Sequence, residues 1–532
     1  MTQSRSSSFS RLLQRHSQSS GLLVGLILSL LAAASVFYST QAGIGLEFDS
    51  RKYLVSARQA VDSGWLQGVD KTGHFPPLYP WIIVAMGKLA GSFHAGARVL
   101  NLLSAALLVF FLHHICRTAL KDTEHPLWTQ AVVSLGLLGL ILSDDLVRLS
   151  SFMLSELVFM AMVAACLLAL QRAQENSAGK YYCLGGLIIG LAALTRHAGL
   201  FFLVPTLCWA WLSSKATGRT RLTHSAIYLL SAALPIIASK IILAPTGHRT
   251  LLLHWPGSGH WNSLGVAFAS WLLPYRFALP LLGWLVAMGC LLFCGKLMIG
   301  RLRHATSPET IKKSPVEEML ALLAFASAGY LGLLFVTVSV VYYNTPFDYR
   351  LLFPAHVLLL LMAILRLASM RFTSQRARAI CFVCLLVWFG GQGVRGAKTS
   401  HLISQQGIGI TSQPFRSSTA LQHLRNLPLT IELVSNKPGM IEELLGRPCS
   451  QFPRRNDEYT MQLRLEQKQE MEILKTNVAA SKAIIVWFLE PPRPFMPAQK
   501  DFEQSLELRR LDASDEKAVL YTGASAPPLP GL

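Results

Sequence analysis

Charge is what this sequence has least of. Only 14% of its 532 residues are Asp, Glu, Lys or Arg, against about a quarter in soluble globular chains. Hydrophobic residues make up 52%, and the mean hydropathy is +0.40. That balance excludes an ordinary soluble globule and points to a polytopic α-helical membrane protein. Acids are scarcer still than bases, 29 against 48, which leaves a formal charge of +19. No soluble basic module accompanies the excess, so nucleic acid is set aside as a partner. Lysine and arginine kept on the cytoplasmic side of a membrane account for the charge instead. Paired cysteines are also missing. Eight of the nine lie in apolar stretches and only Cys449 in the polar C-terminal part, so no disulfide framework staples a secreted domain. Cys381 and Cys384 have CxxC spacing inside "CFVC", but no His or further Cys joins them, and they are read as core packing. No internal repeat is visible.

What is there is a series of apolar runs. Residues 1–20 are polar and serine-rich, with Arg5, Arg11 and Arg15 and no acid. "GLLVGLILSLLAAASVFYST" then supplies enough apolar length to cross about 30 Å of hydrocarbon. Although "AAAS" resembles a cleavage site, the length of this run and the spans after it argue for a retained first helix. Ten more candidate spans centre near 95–115, 129–147, 152–171, 181–195, 198–213, 224–244, 277–297, 319–341, 351–369 and 379–397. The fifth and sixth are short and meet at "TRHAG", which suggests shortened helices around a break. Eleven spans with the N-terminus inside put Arg117, Lys121, Arg172, Lys180, Lys215, Arg219, Arg221, Arg301, Arg303, Lys312, Lys313, Arg371, Arg376 and Arg378 on the cytoplasmic side. The positive-inside rule agrees. An odd count then places the tail, 398–532, outside the cytoplasm. The tail alternates amphipathic helical stretches such as "YTMQLRLEQKQEMEILK" with the short strands "TIELVS" and "KAIIVWFL", the rhythm of a small α/β domain.

The outer segments carry the chemistry. In the long first loop, 40–94, "RKYLVSARQAVDSGW" puts Tyr53, Ala57 and Ala60 at helical spacing, the pattern of a helix lying on the membrane surface. Asp49 just before it can serve as a general base near the interface. Glu47 invites the same reading less strongly, and a plain pairing of Asp49 with Arg51 or Lys52 is the simpler one. "GHFPPLYP" makes a stiff corner that holds His74 and Tyr79 as binding candidates, although one histidine cannot make a metal site. The segment after it is too short to span. Asp144, Asp145, Arg148 and Glu156 flank the junction of the third and fourth spans. An acid such as Glu156 within a span is a functional candidate by default, its alternative being a hydrogen bond to Arg148 or Ser151. Arg196 sits at the break between the two short spans, and "FDYR" brings Asp348 and Arg350 to the outer end of the tenth. Arginine's planar fork matches phosphate oxygens, so two arginines facing one cavity suit a lipid phosphate. An interfacial anchor is the plainer role of each.

Taken together, "FDSRKYLVSARQA", "HFPPLYPWIIVAMGKLAG", "SFMLSELVF", "LTRHAGLFFLVP" and "DYRLLFPAHVLLLLM" resemble the GT-C superfamily of integral-membrane glycosyltransferases, which includes protein O-mannosyltransferases and bacterial aminoarabinose transferases. The resemblance implies a sugar donor carried on polyprenyl phosphate and transfer to an acceptor hydroxyl at the outer membrane face. Asp49 then corresponds to the family's first-loop acid. Two positions depart from the pattern: Ser50 stands where a second acid often follows, and Phe75 separates His74 from the double proline.

The expected protein is therefore an eleven-span glycosyltransferase of the cytoplasmic membrane. It has a cytoplasmic N-terminal tail (1–20), a transmembrane domain (21–397) and an extracytoplasmic α/β domain (398–532). Asp49 is the catalytic base. His74, Tyr79, Asp145, Glu156, Arg196, Asp348 and Arg350 are the substrate-binding candidates. The partners are the polyprenyl-phosphate-linked donor, membrane lipids and a lipid, glycan or protein acceptor. No cofactor is implied, and a divalent metal has no ligand set to support it. A lipid transporter or flippase is the alternative, but it calls for repeats and mid-membrane charges, whereas here the charges gather on one side. A membrane-anchored scaffold leaves the first-loop charges unexplained.

Overall fold

The computed structural model describes residues 3–65, 75–176, 178–213, 218–243, 255–274, 277–306, 314–340, 347–372, 374–457, 462–489 and 495–527. Among the described residues the first three-quarters of the chain are mostly helical: α1 (Gln3–Ser39), α2 (Phe48–Asp62), α3 (Leu78–Ala90), α4 (Phe93–Ala119), α5 (Pro126–Ile141), α6 (Asp144–Ser151), α7 (Glu156–Asn176) and α8 (Gly179–Thr195). They continue as α9 (Gly199–Ser213), α10 (Gly218–Leu243), α11 (Ser258–Ser270), α12 (Pro280–Thr306), α13 (Pro315–Val340), α14 (Tyr349–Ala368) and α15 (Gln375–Gln406). Among the described residues, eight helices are long and apolar enough to cross a membrane: α1 from Gly21, α4, α7, α10, α12, α13, α14 and α15. The protein is thus an integral, multi-pass membrane protein. Ten of the eleven expected spans each fall on one helix, whereas the one at 129–147 is split between α5 and α6 by a turn at 142–143, and α5, α8 and α9 fall short of spanning length, as does α3. The break at "TRHAG" is present, since α8 ends at Thr195 and α9 starts at Gly199.

The core of the bundle is built where α4, α5, α7, α13 and α14 face one another, with Leu108, Val132, Leu167, Leu323 and Leu358 fully buried. Helix α15 instead turns most of its surface outward. Cys381 packs partly on the core while Cys384 is exposed, so only half of the CxxC pair does the packing expected of it. The basic ends of several helices meet at one end of the bundle: Lys121 pairs with Glu175, Arg371 with Glu124, and Arg378 with His125.

The tail is the α/β unit its alternating pattern suggests. After α16 (Gln413–Arg416) and α17 (Thr419–Arg425) come β1 (Glu432–Ser435), α18 (Pro438–Leu445), β2 (Ser450–Gln451), α19 (Gln467–Ala479), β3 (Ala483–Phe488), α20 (Gln499–Ser505), β4 (Leu508–Arg510) and β5 (Ala518–Gly523). The sheet order is β2-β1-β3-β5-β4. The first three strands are parallel, and β5 runs antiparallel to β3 and β4. β3 and β5 are buried along their whole length, as continuous apolar strands between two helical layers must be. Helices α17 and α18 cover one face with Leu421, Leu424 and Ile441, and α19 and α20 cover the other with Val478 and Phe502. Of the helix expected over "YTMQLRLEQKQEMEILK", residues 459–461 lie outside the described residues and the helix itself starts at Gln467, with Leu463 and Leu465 before it exposed.

Tail and bundle are joined beside α2. Residues 45 and 46 form a short extended segment between two others, with Gly45 bridged to Phe152 and Leu46 to Gly409, both parallel. Gly45 N–H donates to Ser151 O at 2.7 Å, Met153 N–H to Gly45 O at 3.0 Å, and Ile410 N–H to Leu46 O at 2.9 Å. Asn101, fully buried on α4, fixes the flanking 150–152 segment by donating to Ser150 O at 2.8 Å and Phe152 O at 2.7 Å. A Cβ on Gly45 would come within 2.6 Å of Ile408 O, so only glycine lets the three backbones close up. Arg51 pairs with Glu442, Arg58 with Glu443 at 3.6 Å and His94 with Glu443 at 3.9 Å. Helix α2 thus lies under α18 of the tail rather than bare on a lipid surface.

Candidate active site

Four elements, α2, α7, α8 and α14, bring charge to one spot just beyond this junction. Glu47 and Asp49 open α2, where Glu47 and Ser50 form a reciprocal cap: Glu47 N–H donates to Ser50 Oγ at 3.0 Å and the Glu47 side chain accepts from the helix backbone. Such a cap satisfies orphan donors at a helix start and fixes both acids in the first turn. Glu156 opens α7 and is 1% exposed. Arg350 lies in the first turn of α14, whose N-cap Asp348 accepts from Leu351 N–H at 3.0 Å.

Arg350 is the centre. Its Nη1 donates to Glu47 Oε2 at 2.7 Å and its Nη2 to Asp49 Oδ2 at 2.5 Å. Nη2 and Nε also reach Glu156 Oε1, at 3.0 and 3.1 Å. Arg196, placed at the C-cap of α8, adds a third bond to Glu156 Oε1 at 2.6 Å. Glu156 therefore holds two arginines through one oxygen, and its Oε2 is buried without a hydrogen-bond partner among the described residues. Breaking one partner of such a buried pair costs about 3–5 kcal/mol, so the two arginines have little freedom to swing away. Three carboxylates against two guanidinium groups leave one net negative charge in the cluster. Burial raises the Glu47 carboxyl above its usual range although Arg350 pulls the other way, and nearby Asp49 and Glu156 add to the rise. Asp348 is raised too, again by burial first and against the pull of Arg350.

The cluster divides by exposure. The side chains of Glu156 and Arg350 are 2% and 15% exposed, whereas those of Glu47 and Asp49 are 30% and 29%. An incoming molecule meets the two first-turn acids, with the buried pair behind them. Aromatic rings wall the site: Tyr53 packs edge-on against Tyr79 at 4.8 Å and Phe75 at 5.2 Å, and its hydroxyl bonds Ser155 Oγ at 3.1 Å. The Tyr79 hydroxyl is fully buried with no hydrogen-bond partner among the described residues.

The structure brings together Asp49, Glu156, Arg196 and Arg350, with Glu47 as the acid that the sequence marked less strongly. Asp49 pairs with Arg350 rather than with Arg51 or Lys52, because Arg51 is taken by Glu442 and Lys52 sits over the Phe48 ring. Glu156 bonds neither Arg148 nor Ser151, since Arg148 is held by Asp144 at 2.7 Å. Asp145 belongs to a different group: it bonds His356 at 3.0 Å, and that ring stacks on Trp271 at 4.7 Å. The signal for His356 was available as a lone imidazole in the apolar run "FPAHVLLLL". His74 lies outside the described residues. Among the described residues no group of three or more His, Cys, Asp and Glu side chains is arranged to hold a metal ion.

Residues 74–243 match the family described as dolichyl-phosphate-mannose-protein mannosyltransferase. The matched stretch contains Glu156 and Arg196 and lies between Asp49 and Arg350. No curated protein matches the chain. Among solved structures, ArnT from Cupriavidus metallidurans bound to undecaprenyl phosphate is similar over 94% of this chain and 98% of its own, with 13% identity and a TM-score of 0.56. The archaeal oligosaccharyltransferase AglB from Archaeoglobus fulgidus, in complex with an inhibitory peptide and a dolichol-phosphate, is similar over 89% of this chain and 70% of its own, with 10% identity and a TM-score of 0.50. Over residues 74–243 the chain is thus similar to a mannosyltransferase family, and over most of its length it shares the fold of these solved membrane proteins.

Proposed function

We propose that the protein transfers a sugar from a polyprenyl-phosphate-linked donor to an acceptor hydroxyl, at the extracytoplasmic face of the cytoplasmic membrane. The observation that carries this reading is the placement of Asp49, part exposed, on the same guanidinium that Glu156 holds from behind. Support for the donor comes from the two similar structures, which hold undecaprenyl phosphate and dolichol-phosphate.

Asp49 acts as the base. It takes the proton of the acceptor hydroxyl as the oxygen attacks the anomeric carbon, and the bond from that carbon to the lipid phosphate breaks. Negative charge then grows on the phosphate, where Arg350 and Arg196 stabilise it, the electrostatic contribution that is usually largest in such sites. All three guanidinium nitrogens of Arg350 are already engaged by carboxylates. Donor phosphate therefore displaces Asp49 from the fork, and in doing so frees the Asp49 carboxylate to accept a proton. Glu156, fully buried, keeps both arginines in place.

The test is sugar transfer from a purified lipid-linked donor by Asp49→Asn. Asparagine keeps the size and hydrogen bonding but cannot take the proton, so the rate should fall by about 10²–10⁴ while donor binding persists. Near-normal transfer would remove Asp49 as the base and move the role to Glu47.

A further inference from the structure

The opposite end of the bundle holds a polar cavity, remote from the carboxylate–arginine cluster. It has a volume of about 560 Å³ and opens between the middle of α1 at Gly21 and Val24, the end of α4, the start of α5 and the end of α7. Helix α4 fixes the separation: Asn101 near its beginning serves the junction beside the candidate active site, whereas His113 to Lys121 at its end line this cavity. The two regions belong to different membrane faces.

The lining is unusual for the rim of a helix bundle. Arg117, Lys121 and Arg172 face the cavity with a single acid, Glu175, and His113 and His114 stand beside them. Glu175 is shared, taking Lys121 at 3.1 Å and Arg172 at 3.3 Å. Arg172 also donates to His114 Nε2 at 2.8 Å. His113 is 8% exposed and occupies room that Gly25 leaves on α1, where a Cβ would lie 2.6 Å from its Nδ1. The hydroxyls of Thr123 and Thr129 meet at 3.1 Å on the same rim. Val24, Leu120 and Val133 give the cavity an apolar side, and the neighbouring Leu22, Leu23 and Leu26 of α1 are exposed. Topology alone asks only for basic residues near this face. It does not ask for three of them around one hollow with an apolar wall open towards lipid. Basic pockets between membrane helices are the sites where anionic lipid headgroups lodge, and the arginine fork suits a phosphate.

We propose that this cavity binds the phosphate of an anionic phospholipid headgroup, with Arg117, Arg172 and Lys121 on the phosphate oxygens and the first acyl carbons against Val24 and Val133. The site is independent of the sugar-transfer reaction.

The test uses the full chain purified in a non-ionic detergent. Native mass spectrometry counts retained lipid, and the thermal midpoint is followed as phosphatidylglycerol, phosphatidylcholine or inorganic phosphate is added. Phosphatidylglycerol should be retained and should raise the midpoint, phosphatidylcholine should do neither, and Arg117→Gln/Arg172→Gln should weaken retention by about tenfold or more. Lys121→Gln, whose side chain is 52% exposed, guards against misfolding of the double variant and should weaken retention to a smaller degree. Equal retention of the two lipids, or undiminished retention by both variants, overturns the proposal. A rise in midpoint with inorganic phosphate that phosphatidylglycerol does not exceed overturns the lipid assignment, because the hollow then serves a free anion.

Discussion

At the scale of single residues, Arg350 decides how the cluster behaves. Its fork bonds three carboxylates at once, a geometry that an ammonium on a flexible stem cannot reproduce. Arg350→Lys should therefore weaken binding of a polyprenyl-phosphate-sugar, and Arg350→Ala should weaken it further, both read by titration of the purified protein. Unchanged binding in both would take Arg350 out of the phosphate site. Glu47 makes a different prediction. Its carboxyl is raised above the usual range by burial, against Arg350, so the folded chain holds that proton where the unfolded chain has released it. A raised carboxyl contributes stability that is complete below the unfolded value of about 4.3 and is lost as pH rises through the folded one. The thermal midpoint of the wild type relative to Glu47→Gln should accordingly fall across that window, and a difference that stays flat with pH would contradict it.

At the scale of elements, the junction of 45–46 with 151–153 and 408–411 holds α2 in register with α7. Its backbone bonds run through Gly45 on one side and Leu46 on the other, so a bulky residue at 45 must push one neighbour away. Gly45→Val should displace the first turn of α2 and lower sugar transfer at least tenfold, a loss of about 1.4 kcal/mol of transition-state stabilisation, while the bundle still folds and the variant reaches the membrane at normal levels. Transfer at the wild-type rate would show that the junction does not position the acids. This same element marks the limit of reading the sequence. The apolar runs announced the long helices, and the acid at the head of "FDSRKY" announced itself by its place beside a span. The pairing of Leu46 with Gly409 left no trace, because a bridge across more than 360 residues has no periodicity. The partner of Asp49 was misjudged for the same reason: local spacing favours Arg51, but the fold gives Arg51 to Glu442 of the tail. The short helices α5, α8 and α9 were legible as apolar segments, whereas their lengths depend on breaks such as Arg196 that serve the charge cluster.

At the scale of the whole molecule, the tail is a structural neighbour of the site. Helix α18 takes ion pairs from Arg51 and Arg58 and lies 3.9 Å from the His94 ring, and all three residues lie on α2 or at the start of α4. Tail and candidate active site must then share one side of the membrane. A single cysteine placed at exposed Leu429, in a chain whose own cysteines are replaced, should react with an impermeant reagent once the outer envelope is opened and before the inner membrane is breached. Reaction only after the inner membrane is breached would put tail and site together in the cytoplasm and reverse the orientation drawn from the basic loops.

The bridge between Leu46 and Gly409 also sets an order of assembly. Residues 44–49 leave the ribosome early, among the first tenth of the chain, yet their two backbone partners arrive at 151–153 and again at 408–411. Through most of synthesis the acids of α2 therefore have no seat, and Arg350 emerges long before the segment that completes the junction. A nascent chain arrested before residue 407 should insert its helices and remain inert, with catalytic competence arriving only as the last membrane helix hands the chain over to the tail.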